Sequence, residues 1–158
     1  MYLTLRYPTP KQGLIWLKRR QKVKPSKIAK EFDVSRPFVS QAQRIAEGRI
    51  RDLLNYTAST NRIKLQNISS EYGFAVGFCP AQNMDAYILY SPSIGIQVWF
   101  DHEGECDACS DSQECEETLT QLAAEWEIPL TKDLPPSKLS GYLFGTIMRR
   151  LEWVKSTG

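Results

Sequence analysis

A chain of 158 residues, 42% apolar and 24% charged, has the composition of a globular protein and excludes a fibrous or disordered one. No apolar run approaches the roughly 20 residues that span a bilayer, and MYLTLRYPTPKQG lacks the charged start and apolar stretch of a signal peptide, so a cytoplasmic protein with no membrane partner is expected. The net charge of +2 conceals opposite halves: residues 1–66 hold 15 Lys and Arg against 4 Asp and Glu, a net +11, while residues 67–158 hold 5 against 14, a net −9. The basic half points to a polyanion, double-stranded DNA foremost, because phosphate neutralisation gives sequence-independent affinity, and the acidic half is expected to stay off the duplex.

The first predicted helix starts at Thr9-Pro10-Lys11-Gln12, with Thr9 as N-cap, Pro10 at the first helical position and Gln12 placed to complete a capping box. Leu14 and Leu17, with Ile15, make its expected apolar stripe, Lys18, Arg19, Arg20 and Lys22 load its end with positive charge, and Lys24-Pro25-Ser26 breaks it. A short helix then carries Ile28, Ala29 and Phe32 on one side; Asp33-Val34-Ser35 makes a tight connection. In the next helix Val39, Ala42 and Ile45 face inward, Ser35 caps, and Pro37 fits the first turn.

The stretch PSKIAKEFDVSRPFVSQAQRI, residues 25–45, resembles the helix-turn-helix of transcription regulators: Ala29 matches the small residue where the helices cross, Val34 the apolar residue after the turn, and Val39 and Ala42 the inner face of the recognition helix. Asp33 stands where many members have Gly, and Asp tolerates left-handed backbone better than most residues. The outer face of the second helix holds Arg36, Ser40, Gln41 and Arg44, side chains that hydrogen-bond base edges and phosphates. With Ser35 they form the expected DNA-reading set, and Lys18, Arg19, Arg20, Lys27 and Lys30 are expected to add phosphate affinity.

Val39, Ala42, Ala46, Ile50, Leu53 and Tyr56 recur at three- and four-residue spacing, so the recognition helix is expected to continue as a connector or dimer-forming stem. Gly48 is its weak point, costing about 1 kcal/mol relative to Ala unless it permits close packing. The stretch SRPFVSQAQRIAEGRIRDLLN is similar to that of Tfx-like archaeal regulators, a likeness covering residues 9–60 at most, which implies a long helix after the helix-turn-helix and then a small acidic domain.

From Asn61 the period becomes alternating. RIKLQNI, YGFAVGFCP, DAYILYSP and GIQVWFDH read as four strands of an antiparallel meander, with Phe74, Val76 and Phe78 or their alternates on the buried face. A helix capped by Asp111-Ser112, with Glu114 at the capping-box position, carries Leu119, Leu122, Ala123 and Trp126; a last helix after Pro135-Pro136 carries Leu139, Tyr142, Leu143, Ile147, Leu151 and Val154. The expected fold class is α+β: an all-α helix-turn-helix domain over residues 1–60 and a domain over residues 61–158 with a four-stranded sheet and two helices.

Between the last strand and the fourth helix, DHEGECDACSDSQEC holds Cys106, Cys109 and Cys115 in a C-x2-C-x5-C run, with His102 before it and Cys79 upstream. Two thiolates separated by a two-residue gap grip one metal centre, and Cys115 enters from a helix start that favours its thiolate. Zinc needs four N or S donors, which the three cysteines with His102 or Cys79 supply. The run is also similar to the closing part of the cluster motif in DNA-repair glycosylases, which implies a [4Fe–4S] cluster and cysteine ligands, with Cys79-Pro80 as the alternative to His102. A zinc clip and unligated thiols are the alternatives to a redox centre.

One histidine, no Gly-rich phosphate loop and no nucleophile motif assemble no catalytic set, so the chain is expected not to be an enzyme. The expectation is a DNA-binding transcription regulator, homodimeric, with a metal or redox centre in its acidic domain and the transcription machinery as a further partner; a DNA-processing enzyme and an RNA-binding or adaptor module are the competing readings.

Overall fold

The computed structural model describes residues 5–101, 112–131 and 133–153. Five helices and four strands follow in order: α1 Pro10–Arg20, α2 Pro25–Phe32, α3 Arg36–Thr60, β1 Lys64–Ser69, β2 Phe74–Cys79, β3 Met84–Ser91, β4 Gly95–Phe100, α4 Ser112–Glu125 and α5 Pro136–Arg150. Among the described residues no helix is long and apolar enough to cross a membrane.

The capping box at Thr9 forms as expected: the Gln12 amide donates to Thr9 Oγ1 at 3.2 Å, and the Thr9 amide donates to Gln12 Oε1 at 3.0 Å. The buried arc of α1 differs from the expected stripe. Leu14 is 44% exposed and Leu17 half-buried; Ile15 is buried as expected, and Gly13, Trp16 and Arg20 are buried with it. The cause is that α1 packs on two sides, Ile15 into the helix-turn-helix core and Trp16 against Tyr90 of β3, with ring centroids 5.2 Å apart.

Ile15, Ile28, Ala29, Val39 and Ala42 form that core, with Val23, Phe32 and Val34 packed against it. Asp33 takes the left-handed conformation at φ 53°, ψ 52°, where an L side chain with a short polar group is tolerated. The turn is then locked by the Val34 amide, which donates to the Ala29 carbonyl at 2.9 Å and sets Val34 back on the core.

Helix α3 runs unbroken for 25 residues, about 37 Å at the α-helical rise. Its buried stripe is Val39, Ala42, Ala46, Ile50, Leu53, Leu54 and Ala58; Leu54 takes the place expected for Tyr56, which is half exposed. Among the described residues a Cβ at Gly48 would meet no atom within 4 Å. Gly48→Ala is therefore expected to stabilise the chain by up to about 1 kcal/mol through helix propensity alone. A thermal melt checks this: an unchanged or lowered midpoint would mean that the bare backbone at Gly48 has a use of its own.

The sheet has the order β1-β2-β3-β4, each strand beside its sequence neighbour, with a bulge in β1 between Leu65 and Asn67. The pairings β1–β2 and β2–β3 are antiparallel, Phe74 lying opposite Leu89 and Cys79 opposite Met84. Phe74 and Val76 are buried as expected, Phe74 stacked with Tyr87 at 6.2 Å, but β2 and β3 are closed on both faces. By alternation the second face is Ala75, Gly77, Cys79, Ala86, Ile88 and Tyr90, small for the most part, so helices α1 and α3 can approach the strands.

The chain divides into compact units Met1–Trp99 and Phe100–Gly158, not after residue 60 as the change of period suggests. The reason is the β1–β2 turn, which is clamped to the helices. Trp16 Nε1 donates to the Ser70 carbonyl at 3.1 Å, Arg20 Nη1 to the Tyr72 carbonyl at 2.9 Å, and Arg51 Nη2 to Ser70 Oγ at 3.1 Å. The Arg20 guanidinium also lies 4.8 Å from the centre of the Trp16 ring. Gly73, at φ +66°, closes the turn, and a Cβ there would come within 2.6 Å of the Trp16 ring.

In the second unit α4 and α5 pack together, burying Leu119, Leu122, Ala123 and Trp126 on one side and Leu139, Leu143, Phe144 and Ile147 on the other. Tyr142, expected on the inner stripe, is half exposed, and Phe144 is buried in its stead. The two helices are also tied by Arg150, whose Nη1 donates to the Trp126 carbonyl at 2.8 Å. The expected cap at Asp111 and the stripe residue Val154 lie outside the described residues.

Candidate nucleic-acid interface

Ser35 fixes the start of α3: its Oγ accepts from the Phe38 amide at 3.2 Å. With Val39, Ala42 and Ala46 drawn into the core, helical periodicity turns Arg36, Ser40, Gln41 and Arg44 outward, and all four are exposed. None of the four makes a hydrogen bond or ion pair with another described residue. Arg36, Ser40 and Arg44 stand four residues apart in one row, and Gln41 stands beside it. Lys27 and Lys30 of α2 are likewise exposed, and neither side chain makes a hydrogen bond or salt bridge with another described residue, although the charge of Lys27 helps to hold the Glu31 carboxyl down.

The remaining candidates are committed to the fold. Arg20 is buried against Trp16 and the Tyr72 carbonyl, so its charge is unavailable to a phosphate. Arg19 donates through Nε to Gln43 at 3.2 Å and through Nη1 to the Val23 carbonyl at 2.9 Å, tying α1 to α3 and to the α1–α2 turn. Lys18 pairs with Glu31 at 2.9 Å, and the hydrogen bond from its ammonium holds the Glu31 carboxyl below its ordinary value. The pair is solvent-exposed and is a weak tether rather than a buried bridge. Ser35 Oγ is engaged as the acceptor of its cap, which leaves its hydroxyl proton able to donate.

Two further exposed residues of the first three helices and their turns escape a reading by motif. Lys24, immediately before Pro25, reads as part of a helix break, yet its side chain is exposed three residues before the exposed Lys27. Phe38 reads as core by residue type but is 41% exposed in the first turn of α3. The signal that finds it is phase: Phe38 precedes Val39, the buried position, by one residue.

The cysteine run is only partly in view. His102, Cys106 and Cys109 lie outside the described residues. Cys115 is half-buried in the first turn of α4. Cys79 ends β2 at 1% exposure, with its Sγ 3.6 Å from the Asn61 carbonyl oxygen, to which it donates. Among the described residues no group of three His, Cys, Asp or Glu side chains is close enough to hold a metal ion.

No protein-family model, curated protein or solved structure matches the chain.

Proposed function

We propose that the chain is a sequence-specific regulator of transcription that binds duplex DNA through α2 and the first half of α3. The observation that carries this reading is the unspent state of Arg36, Ser40, Gln41 and Arg44 on one exposed face of α3, with Lys27 and Lys30 exposed on α2. Arg bonds guanine in the major groove, Gln bonds adenine, Ser bonds either, and the lysines add affinity without sequence preference. Asp33 and Ser35 hold the turn that sets this face, as a helix-turn-helix requires. Selection from a random duplex pool by the full chain tests the proposal: enrichment of a common sequence is the expected result, and a pool that stays random overturns it.

The proposal extends to the cysteines. Cys106, Cys109 and Cys115 supply three thiolates to a zinc ion or an iron–sulfur cluster, and the burial of Cys79 with its bond to Asn61 favours His102 as the fourth ligand. Anaerobic purification followed by metal analysis and an absorbance spectrum is expected to give stoichiometric zinc, or iron with a broad visible band. Metal-free, colourless protein would remove this part of the proposal and leave the DNA-binding part standing. A regulator of this type is also proposed to act as a homodimer, with two recognition helices reading two half-sites.

A further inference from the structure

We infer that Phe38 is a specificity-determining residue that packs on the C5-methyl group of a pyrimidine, thymine in ordinary DNA. The inference rests on the proposed duplex-binding role of α3. Phe38 lies in the first turn of the helix, the part that meets base edges when a recognition helix enters the major groove. Its backbone is fixed by the bond from its amide to Ser35 Oγ, so the ring projects from a set position. At 41% exposure it is a large apolar side chain left outside the core cluster of the first three helices, with the exposed Gln41 as its polar neighbour one turn on.

The chemistry of its neighbour narrows what it meets. Gln41 stands three residues on, so the two side chains are adjacent on the helix surface, on the opposite flank from the Arg36–Ser40–Arg44 row. Gln reads adenine at N6 and N7, while the feature of the same groove that an aromatic ring recognises is the thymine methyl, absent from cytosine and uracil. Phe38 and Gln41 together therefore favour A·T pairs at one place in each half-site, and the arginine row reads or anchors the pairs beside it.

The test uses the duplex that the full chain enriches from a random pool. Replacing thymine by deoxyuridine, one position at a time, removes only the methyl. At one position per half-site the parent is expected to lose about fourfold in affinity, the effect of one buried methyl. Phe38→Ala, at an exposed helical position, is expected to bind the thymine and uracil duplexes within about twofold of each other, and Phe38→Leu to keep part of the preference. Putting 5-methylcytosine at that position is expected to bind the parent more tightly than cytosine there. Deoxyuridine tolerated everywhere by the parent, or a thymine preference undiminished in Phe38→Ala, would overturn the assignment of Phe38 while the duplex-binding reading stands. A pool from which nothing is enriched would remove both.

Discussion

Trp16→Ala is expected to cost about 3–5 kcal/mol of folding stability, the range for removing a large buried aromatic side chain. Trp16 is 1% exposed and touches three parts of the first unit: Tyr90 of β3, the backbone of Gly73 where no Cβ fits, and the Arg20 guanidinium. Its Nε1 also satisfies the Ser70 carbonyl, so truncation leaves a cavity and strips a turn carbonyl of its donor. Against a total stability on the order of 5–15 kcal/mol for a domain, this is a large fraction. Urea unfolding followed by far-ultraviolet circular dichroism measures it. Trp16→Phe, which keeps most of the ring but not the N–H, is expected to fall between parent and Ala. A loss below about 1 kcal/mol in Trp16→Ala would mean that the clamp between α1 and the β1–β2 turn does not hold the unit together.

The second large effect falls on recognition rather than folding. Gln41→Ala and Arg44→Ala are each expected to lose about 1–3 kcal/mol of affinity for the selected duplex, roughly 5- to 150-fold, with little change in the unfolding midpoint because both side chains are exposed and make no bond to another described residue. Their losses on a scrambled duplex should be much smaller for Gln41, which is neutral, than for Arg44, whose charge also serves the phosphates. Lys27→Ala is the contrasting variant: it should weaken selected and scrambled duplexes alike and reduce the salt slope by about 1. Competition titrations at two salt concentrations separate these outcomes. Equal binding by parent, Gln41→Ala and Arg44→Ala would remove this face of α3 from the account.

Local signals in the sequence carried the helical part of the fold. The Thr9–Gln12 box, the Ser35 cap and the left-handed Asp33 each depend on residues within four positions of one another, so spacing alone anticipates them. The buried stripe of α3 from Val39 to Leu53 is legible for the same reason, because an unbroken helix repeats its inner face at a fixed period. The four-stranded meander follows from alternation and turn residues.

What the sequence hides is decided by partners far along the chain. Nothing near Arg20 distinguishes it from Lys18 or Arg19; its burial is set by the Tyr72 carbonyl, 52 residues away, and by a ring one turn back. The same contact moves the boundary between the units, since a helix-turn-helix read as a separate domain turns out to share its packing with a sheet. Leu14 and Ile15 differ only in phase by one residue, and which of them is buried depends on α1 having to serve both the helical core and Tyr90. Charge counting thus locates the basic part of the chain but overstates the cations it presents: of the ten residues read from the sequence as contacting DNA, Arg36, Ser40, Gln41, Arg44, Lys27 and Lys30 are the ones whose side chains make no hydrogen bond or salt bridge with another described residue.

Competition for one labelled, selected duplex is the most direct test of the central claim. At fixed salt, unlabelled selected duplex is expected to displace the full chain at far lower concentration than a scrambled duplex or either single strand, since hydrogen bonds to base edges in the major groove exist only on the paired selected sequence. Displacement by scrambled duplex or by single strands at the same concentration would contradict it, and would leave the basic half a general polyanion-binding surface.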